Sequence, residues 1–148
     1  MNASLIALEA TIPLRLRVLR PGSTEADCHF PSDHVPGAFH VGTFVEEQCV
    51  AVGSFSPETH TDLPARRPYR LRGMASAPEV RGRGAGRVLL DQAVVVLAER
   101  GCDLLWCNAR EVAIPFYERM GFIGRGPLFD IPGIGPHQVM LRPIDRVG

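Results

Sequence analysis

Tyr-Arg-Leu-Arg-Gly-Met-Ala-Ser-Ala-Pro-Glu-Val-Arg-Gly-Arg-Gly-Ala-Gly-Arg-Val-Leu-Leu, residues 69–90, is the stretch on which the fold turns. Its start alternates, with Tyr69, Leu71 and Ala75 on one side and Arg70, Arg72 and Met74 on the other, which predicts a strand with unlike faces. Ala77, Pro78 and Glu79 stop that strand. Arg81, Gly82, Arg83, Gly84, Ala85 and Gly86 then lead into a helical pattern that gathers Leu89, Leu90, Ala93, Val96 and Leu97 on one wide face, with Arg87, Asp91, Gln92 and Glu99 opposite. A glycine-rich turn at a helix start leaves backbone N–H groups unpaired, admits an anion past absent side chains, and adds the positive end of the helix dipole. Such a turn suits a phosphate, although a ligand-free connection from strand to helix would use the same residues.

A Walker loop ends in Gly-Lys-Ser/Thr, whereas Gly86 is followed by Arg87 and Val88; a dinucleotide fingerprint requires glycine where Arg87 stands. What fits is Arg/Gln-x-x-Gly-x-Gly/Ala, as Arg81, Gly84 and Gly86. Here the chain resembles the GCN5-related N-acetyltransferases (GNAT superfamily). The resemblance implies that residues 81–87 hold the pyrophosphate of acetyl-CoA, and that Met74, Ala75 and Ser76 offer strand-edge groups to the pantetheine arm. A second match supports it: Ala113, Phe116, Tyr117, Glu118, Arg119, Met120, Gly121 and Phe122 follow the family's Ala-x-x-Phe-Tyr-x-x-x-Gly-Phe. There the tyrosine faces the sulfur of CoA, so Tyr117 is the implied proton donor to the departing thiolate; the alternative is core filling with its O–H on backbone. Many relatives carry asparagine three positions before the alanine, where this chain has Arg110, and Asn108 is the nearest substitute for a pantetheine contact. Ile134, Pro136, His137 and Met140 resemble the ending of the ElaA-like subgroup.

Length and composition bound the rest. The 148 residues predict one domain of α/β class, and the resemblance implies a mixed, splayed sheet flanked by helices. With 16 acidic and 16 basic residues the formal charge is zero, so no broad field favours nucleic acid or an anionic membrane. Lysine is absent, which excludes lysine as base or Schiff-base former; with 15 Gly and 13 Pro this suggests a GC-rich bacterial genome. Cys28, Cys49, Cys102 and Cys107 form no CxxC pair and predict free thiols in a reducing cytosol. The apolar start is too short for a secretory leader, and no apolar run approaches a membrane span. A cytoplasmic enzyme is expected, without metal. Its acceptor is an amine of a small molecule or peptide, and a homodimer is left open.

Along the chain, Ser4 to Glu9 is a candidate first strand. Over 11–20 the alternation of Leu14, Leu16 and Val18 says strand, while Thr11 as N-cap, Pro13 in the first turn and the Pro21-Gly22 stop say helix; the resemblance selects helix. Residues 22–37 form a polar loop, near the acceptor side in the family. Ala38–Val45 and Cys49–Phe55 predict a hairpin, 56–68 a loop, and 103–107 a buried strand in a right-handed crossover. Val112, Phe116 and Met120 recur at fours as a short helix ended by Gly121. Phe122–Phe129 and Val139–Leu141 are the last strands.

The amine must lose a proton, and Glu79, Asp130, His40 and His137 are the titratable candidates near the expected cleft. The segment Phe129–His137 is expected to wall the acceptor pocket, with Asp130 holding a cationic amine and His137 either taking its proton or only shaping the hairpin. Cys28, His29, His34 and His40 match no standard zinc spacing. Two rivals stand beside acetyl transfer: a non-catalytic acyl-CoA sensor, and a transferase for a different acyl-CoA.

Overall fold

The structure, a computed structural model, describes residues 1–145. Seven strands form one mixed sheet in the order β1-β2-β3-β4-β5-β7-β6, with helices on its faces. The strands are β1 (Asn2–Ile6), β2 (Phe39–Val45), β3 (Gln48–Pro57), β4 (Pro68–Ser76), β5 (Leu104–Arg110), β6 (Ile123–Ile131) and β7 (Gly135–Pro143). All neighbours are antiparallel except β4 and β5, which run parallel. That parallel step is the crossover through the long helix α2 (Ala85–Glu99) that the sequence predicts. No helix among the described residues is long and apolar enough to cross a membrane.

Leu89, Leu90, Ala93, Val96 and Leu97 of α2 are all buried, so the predicted apolar stripe is the one that packs on the sheet. They meet Phe39, Val41, Phe55 and Leu71 in the main core, which Tyr117 and Phe122 extend across β5. The opposite face is covered by the chain between β1 and β2. There a 3₁₀ turn (Leu8–Thr11) runs into α1 (Ile12–Leu14) and then a wide π turn (Arg15–Leu19), so segment 11–20 is helical. Thr11 does not cap it: the hydroxyl donates back to the Leu8 carbonyl at 2.7 Å. A smaller cluster of Leu63, Leu104 and Trp106 covers β5 on that same face.

Several boundaries differ from the expectation. The first strand ends at Ile6, because Leu8–Thr11 already turn. β5 continues past Cys107 to Arg110, zipped along its whole length to β7. Only Pro132–Ile134 separate the last two strands. Val112 is 88% exposed and lies in a 3₁₀ turn (Glu111–Ala113), since Pro115 fixes the first turn of α3 (Ile114–Arg119) behind it.

The change with most consequence is in β4. Val52 pairs with Ala75 but Ser54 pairs with Arg72, so Gly73 and Met74 together face Gly53 in a β-bulge, and Gly73 takes φ +64°. One extra residue reverses the alternation downstream. Met74 therefore turns toward Leu89 and Gly53 on the α2 side, and Ala75 joins the other face with Val52. The expected grouping of Leu71 with Ala75 and of Arg72 with Met74 is overturned.

Candidate active site

β4 and β5 stay paired only from Pro68 to Arg70, opposite Leu104 to Trp106. Beyond that point β4 continues on β3 to Ser76, and β5 continues on β7 to Arg110. The two parallel strands thus part into a wedge whose β4 wall is the edge of Leu71–Ser76 and whose β5 wall is Cys107–Arg110. Backbone groups on those edges lack a strand partner across the gap, which is costly unless water or a ligand supplies one.

The glycine loop lies directly above β4. Arg81 N–H bonds to Pro78 O and Arg83 N–H to Val80 O, closing tight turns; the next backbone bond runs from Val88 N–H to Gly84 O. The N–H groups of Gly82, Gly84, Ala85, Gly86 and Arg87 therefore have no protein acceptor among the described residues. Gly82 and Gly84 hold φ +77° and +90° with open space where a Cβ would stand. Gly86 is glycine for a different reason: a Cβ would lie 2.9 Å from the Phe116 ring and 3.2 Å from Met74 Cε. The helix start is held from below by Thr43, whose buried hydroxyl donates to the Ala85 carbonyl at 2.9 Å. Arg81, Arg83 and Arg87 stand exposed around the loop. Free N–H donors, a helix dipole and an open surface together fit the pyrophosphate of a CoA thioester.

Tyr117, on α3, is buried with its ring edge-on to Phe116 and Phe122, both at 5.2 Å between centroids. Its phenol makes no hydrogen bond to the protein among the described residues, so the backbone-bonded alternative is absent. Burial, and after it the neighbouring Cys107, push the phenol well above its usual range, which keeps it protonated. Burial likewise pushes the Cys107 thiol up to about 12, against a weaker pull from Arg70. Asn108 follows on the other face of β5, and its buried Oδ1 has no donor.

The titratable candidates are scattered. Glu79 is exposed and held bidentately by Arg17 at 3.0 and 2.8 Å, which lowers its carboxyl and makes it a poor base. His40 is buried on β2, with β3 and β4 between it and the wedge. Burial lowers its pKa, and its Nδ1 is 2.7 Å from Ser54 Oγ. Asp130 is exposed on β6. His137 is buried opposite Arg110, and its Nδ1–H donates to the Gly135 carbonyl at 2.7 Å, leaving Nε2 as the acceptor nitrogen.

Among the described residues, the face away from α2 holds two hollows of note. One, about 540 Å³, is lined by Arg20, Phe30, Val35, Glu58, Arg72 and Gly73. The other, about 550 Å³, includes His60, Asn108, Arg125 and Phe129. Asp130 and His137 line neither. Between the hollows stands a network centred on Glu58, from the expected loop 56–68: Glu58 accepts from Arg72 at 2.6 Å and Arg70 at 2.9 Å, its carbonyl accepts from Trp106 Nε1 at 2.9 Å, and Arg70 lies over the Trp106 ring. A second missed pair, Arg15 and Asp33, latches segment 22–37 to the sheet.

The profile of the acetyltransferase (GNAT) family matches residues 11–122. The chain belongs to that family. Its reaction class is therefore acyl transfer from a CoA thioester, and its enzyme class is acyltransferase. The chain is also 38% identical over 144 residues, 97% of each chain, to the uncharacterized N-acetyltransferase YitI of Bacillus subtilis (strain 168). Among solved structures it is similar in fold to ElaA of Escherichia coli (TM-score 0.72, 20% identity, 91% of this chain and 88% of that one). It is similar too to an aminoglycoside 6'-N-acetyltransferase complexed with coenzyme A (TM-score 0.76, 14% identity, 100% and 99%). GNAT membership accords with the glycine loop and the wedge, which lie inside the matched span.

Proposed function

We propose that this GNAT protein moves the acetyl group of acetyl-CoA directly to a primary amine of a small molecule or peptide, as a single domain in the cytoplasm. The observation that carries the reading is the set of free N–H groups at Gly82 and at residues 84–87, just beyond the point where β4 parts from β5, with the unpartnered Tyr117 phenol near Cys107 of the β5 wall. Residues 81–87 cradle the pyrophosphate. The β4 edge at Met74, Ala75 and Ser76 and the orphaned Asn108 Oδ1 pair with the amide groups of the arm. Acetyl-CoA supplies the activated acyl group; the amine nitrogen bonds to the thioester carbon, the C–S bond breaks, and the sulfur leaves as thiolate. Tyr117 donates a hydrogen bond to that sulfur, and its high pKa favours a shared proton over full transfer.

The hollow beneath residues 22–37 suits the acceptor better than the Phe129–His137 segment. Gly73 lines it, one residue from the Met74 edge of the wedge, whereas Asp130 and His137 lie on strands two and one removed from β5. His137 then shapes the β6–β7 hairpin. Tyr117→Phe keeps the packing volume, so turnover should fall roughly 10²–10⁴-fold with acetyl-CoA affinity and melting point near the parent. A drop below about threefold would make the tyrosine core filling. A parent protein inert toward every amine would favour the non-catalytic acyl-CoA binder.

A further inference from the structure

We propose that the acceptor carries a carboxylate beside its amine, as a free amino acid does, and that Arg20 and Arg72 bind that carboxylate in the hollow beneath residues 22–37. The proposal rests on the acetyl-transfer reading and names its substrate class.

Charge carries the argument. The acidic group lining this hollow is Glu58, and both of its oxygens are already taken, Oε1 by Arg72 at 2.6 Å and Oε2 by Arg70 at 2.9 Å. Asp33, next in sequence to Ser32 of the lining, is consumed by buried Arg15. Arg20 is at the rim, carried one residue further round by the π turn that returns its N–H to the Arg15 carbonyl. Its guanidinium has no partner among the described residues. Two guanidiniums, Arg20 and Arg72, thus line the hollow beside one carboxylate, which Arg70 also pairs from outside it. A bare ammonium ion entering here meets like charge, and an acceptor that brings its own carboxylate does not. Arginine also presents paired N–H donors that match carboxylate geometry.

The same surplus of positive charge helps the chemistry. It disfavours the ammonium form of the bound acceptor and so frees the nitrogen lone pair without a dedicated side-chain base. The proton goes to water in the open hollow, the lone pair forms the C–N bond, and the sulfur departs toward Tyr117. About 540 Å³ holds one amino acid or a dipeptide, and Phe30 and Val35 supply an apolar wall for its side chain. Gly73 on the floor sets the amine beside the wedge.

The test compares apolar L-amino acids with their amides and their decarboxylated amines, reading free CoA released from acetyl-CoA. The expected result is kcat/KM at least about tenfold higher for the acids, in line with a charge-assisted hydrogen bond at a half-open site. Arg20→Gln should pull that ratio toward one. Dipeptides with free and amidated C-termini check the spacing: the dipeptide acid should drop to the level of its amide, and a dipeptide acid used as well as the amino acid would overturn the placement of the carboxylate beside the amine. Amides or carboxylate-free amines acetylated as well as the acids would overturn the proposal and leave acetyl transfer standing. Silence of every amine would overturn both. Calorimetry adds an arm without turnover: N-acetylphenylalanine should bind more tightly than its amide, and equal binding counts against the proposal.

Discussion

Asp33→Asn should be among the most damaging single-atom changes in this protein. Arg15 and Asp33 face each other with side chains 1% exposed, joined by two bonds of 2.8 Å. The guanidinium also donates to the Cys28 carbonyl and Ser54 Oγ and stacks on Phe30 at 4.0 Å, while Asp33 accepts the Phe30 N–H. Neutralising the acid strands a buried cation, which typically costs about 3–5 kcal/mol, whereas replacing both partners with apolar residues is often close to neutral. Unfolding entropy of about 2.1 cal/mol/K per residue over this chain gives roughly 0.3 kcal/mol per degree, so Tm should fall by about 10–16 °C. Calorimetric or fluorescence melts at pH 7 read this directly. The pH dependence adds a check. Burial alone would raise the Asp33 carboxyl, but the bonds from Arg15 and the Phe30 N–H outweigh it and hold it below its usual value. Its stabilisation is thus complete above about pH 4 and drains away as pH falls through the lower folded value, so parent and variant should converge in acid. A variant that melts within about 3 °C of the parent at pH 7 would show that the pair is solvated and that the latch reading is wrong.

Gly84→Val forces a β-branched residue to φ +90° at the free N–H groups; acetyl-CoA affinity should drop at least tenfold by calorimetry, and an unchanged Kd in a folded protein removes the pyrophosphate cradle. In Gly73→Ala the new Cβ meets Phe30 at 2.8 Å in a left-handed backbone, so stability should fall by about 1–3 kcal/mol and acceptor KM should rise more than acetyl-CoA KM; equal changes in both would detach the bulge from the acceptor side. Cys49 is the half-buried thiol, and Cys107 is held neutral with a pKa of about 12, so maleimide at pH 8 should label Cys49 first. Because the unfolded Cys107 thiol ionises near pH 8.5, its share of stability is intact below that value and declines as pH climbs toward 12; faster labelling of Cys107 than Cys49 would refute its burial.

What the sequence made legible was local. The glycine loop, the stripe on α2 and the β2–β3 hairpin follow from spacing within about a dozen residues, and each forms as expected. The bulge escaped because alternation was read straight through Gly73, although a glycine inside a strand pattern is itself a signal for one. Val112 misled for a related reason: its spacing from Phe116 fits a helix, but Pro115 starts the helix later. The Arg15–Asp33 and Glu58 networks had no local signature. Arg70 and Arg72, two apart on one strand face, announced a need for an acid, yet only the folded chain shows that Glu58 is the one. The hollow proposed for the acceptor is bordered by such long-range pairs, which leave no local pattern to read.

The short pairing of β4 with β5 also divides the molecule along its sequence. Strands β1 to β4 all come from residues 2–76 and strands β5 to β7 all from 104–143, and within the sheet only three ladder pairs join the two sets, reinforced by the Trp106–Glu58 bond and the Leu63, Leu104 and Trp106 cluster. Each side is a contiguous stretch of chain, with α2 as the strap. Amide protons on the two sides should therefore exchange as separate cooperative units. Whatever settles in the wedge works as a rivet: a tight ligand should merge the two exchange classes into one.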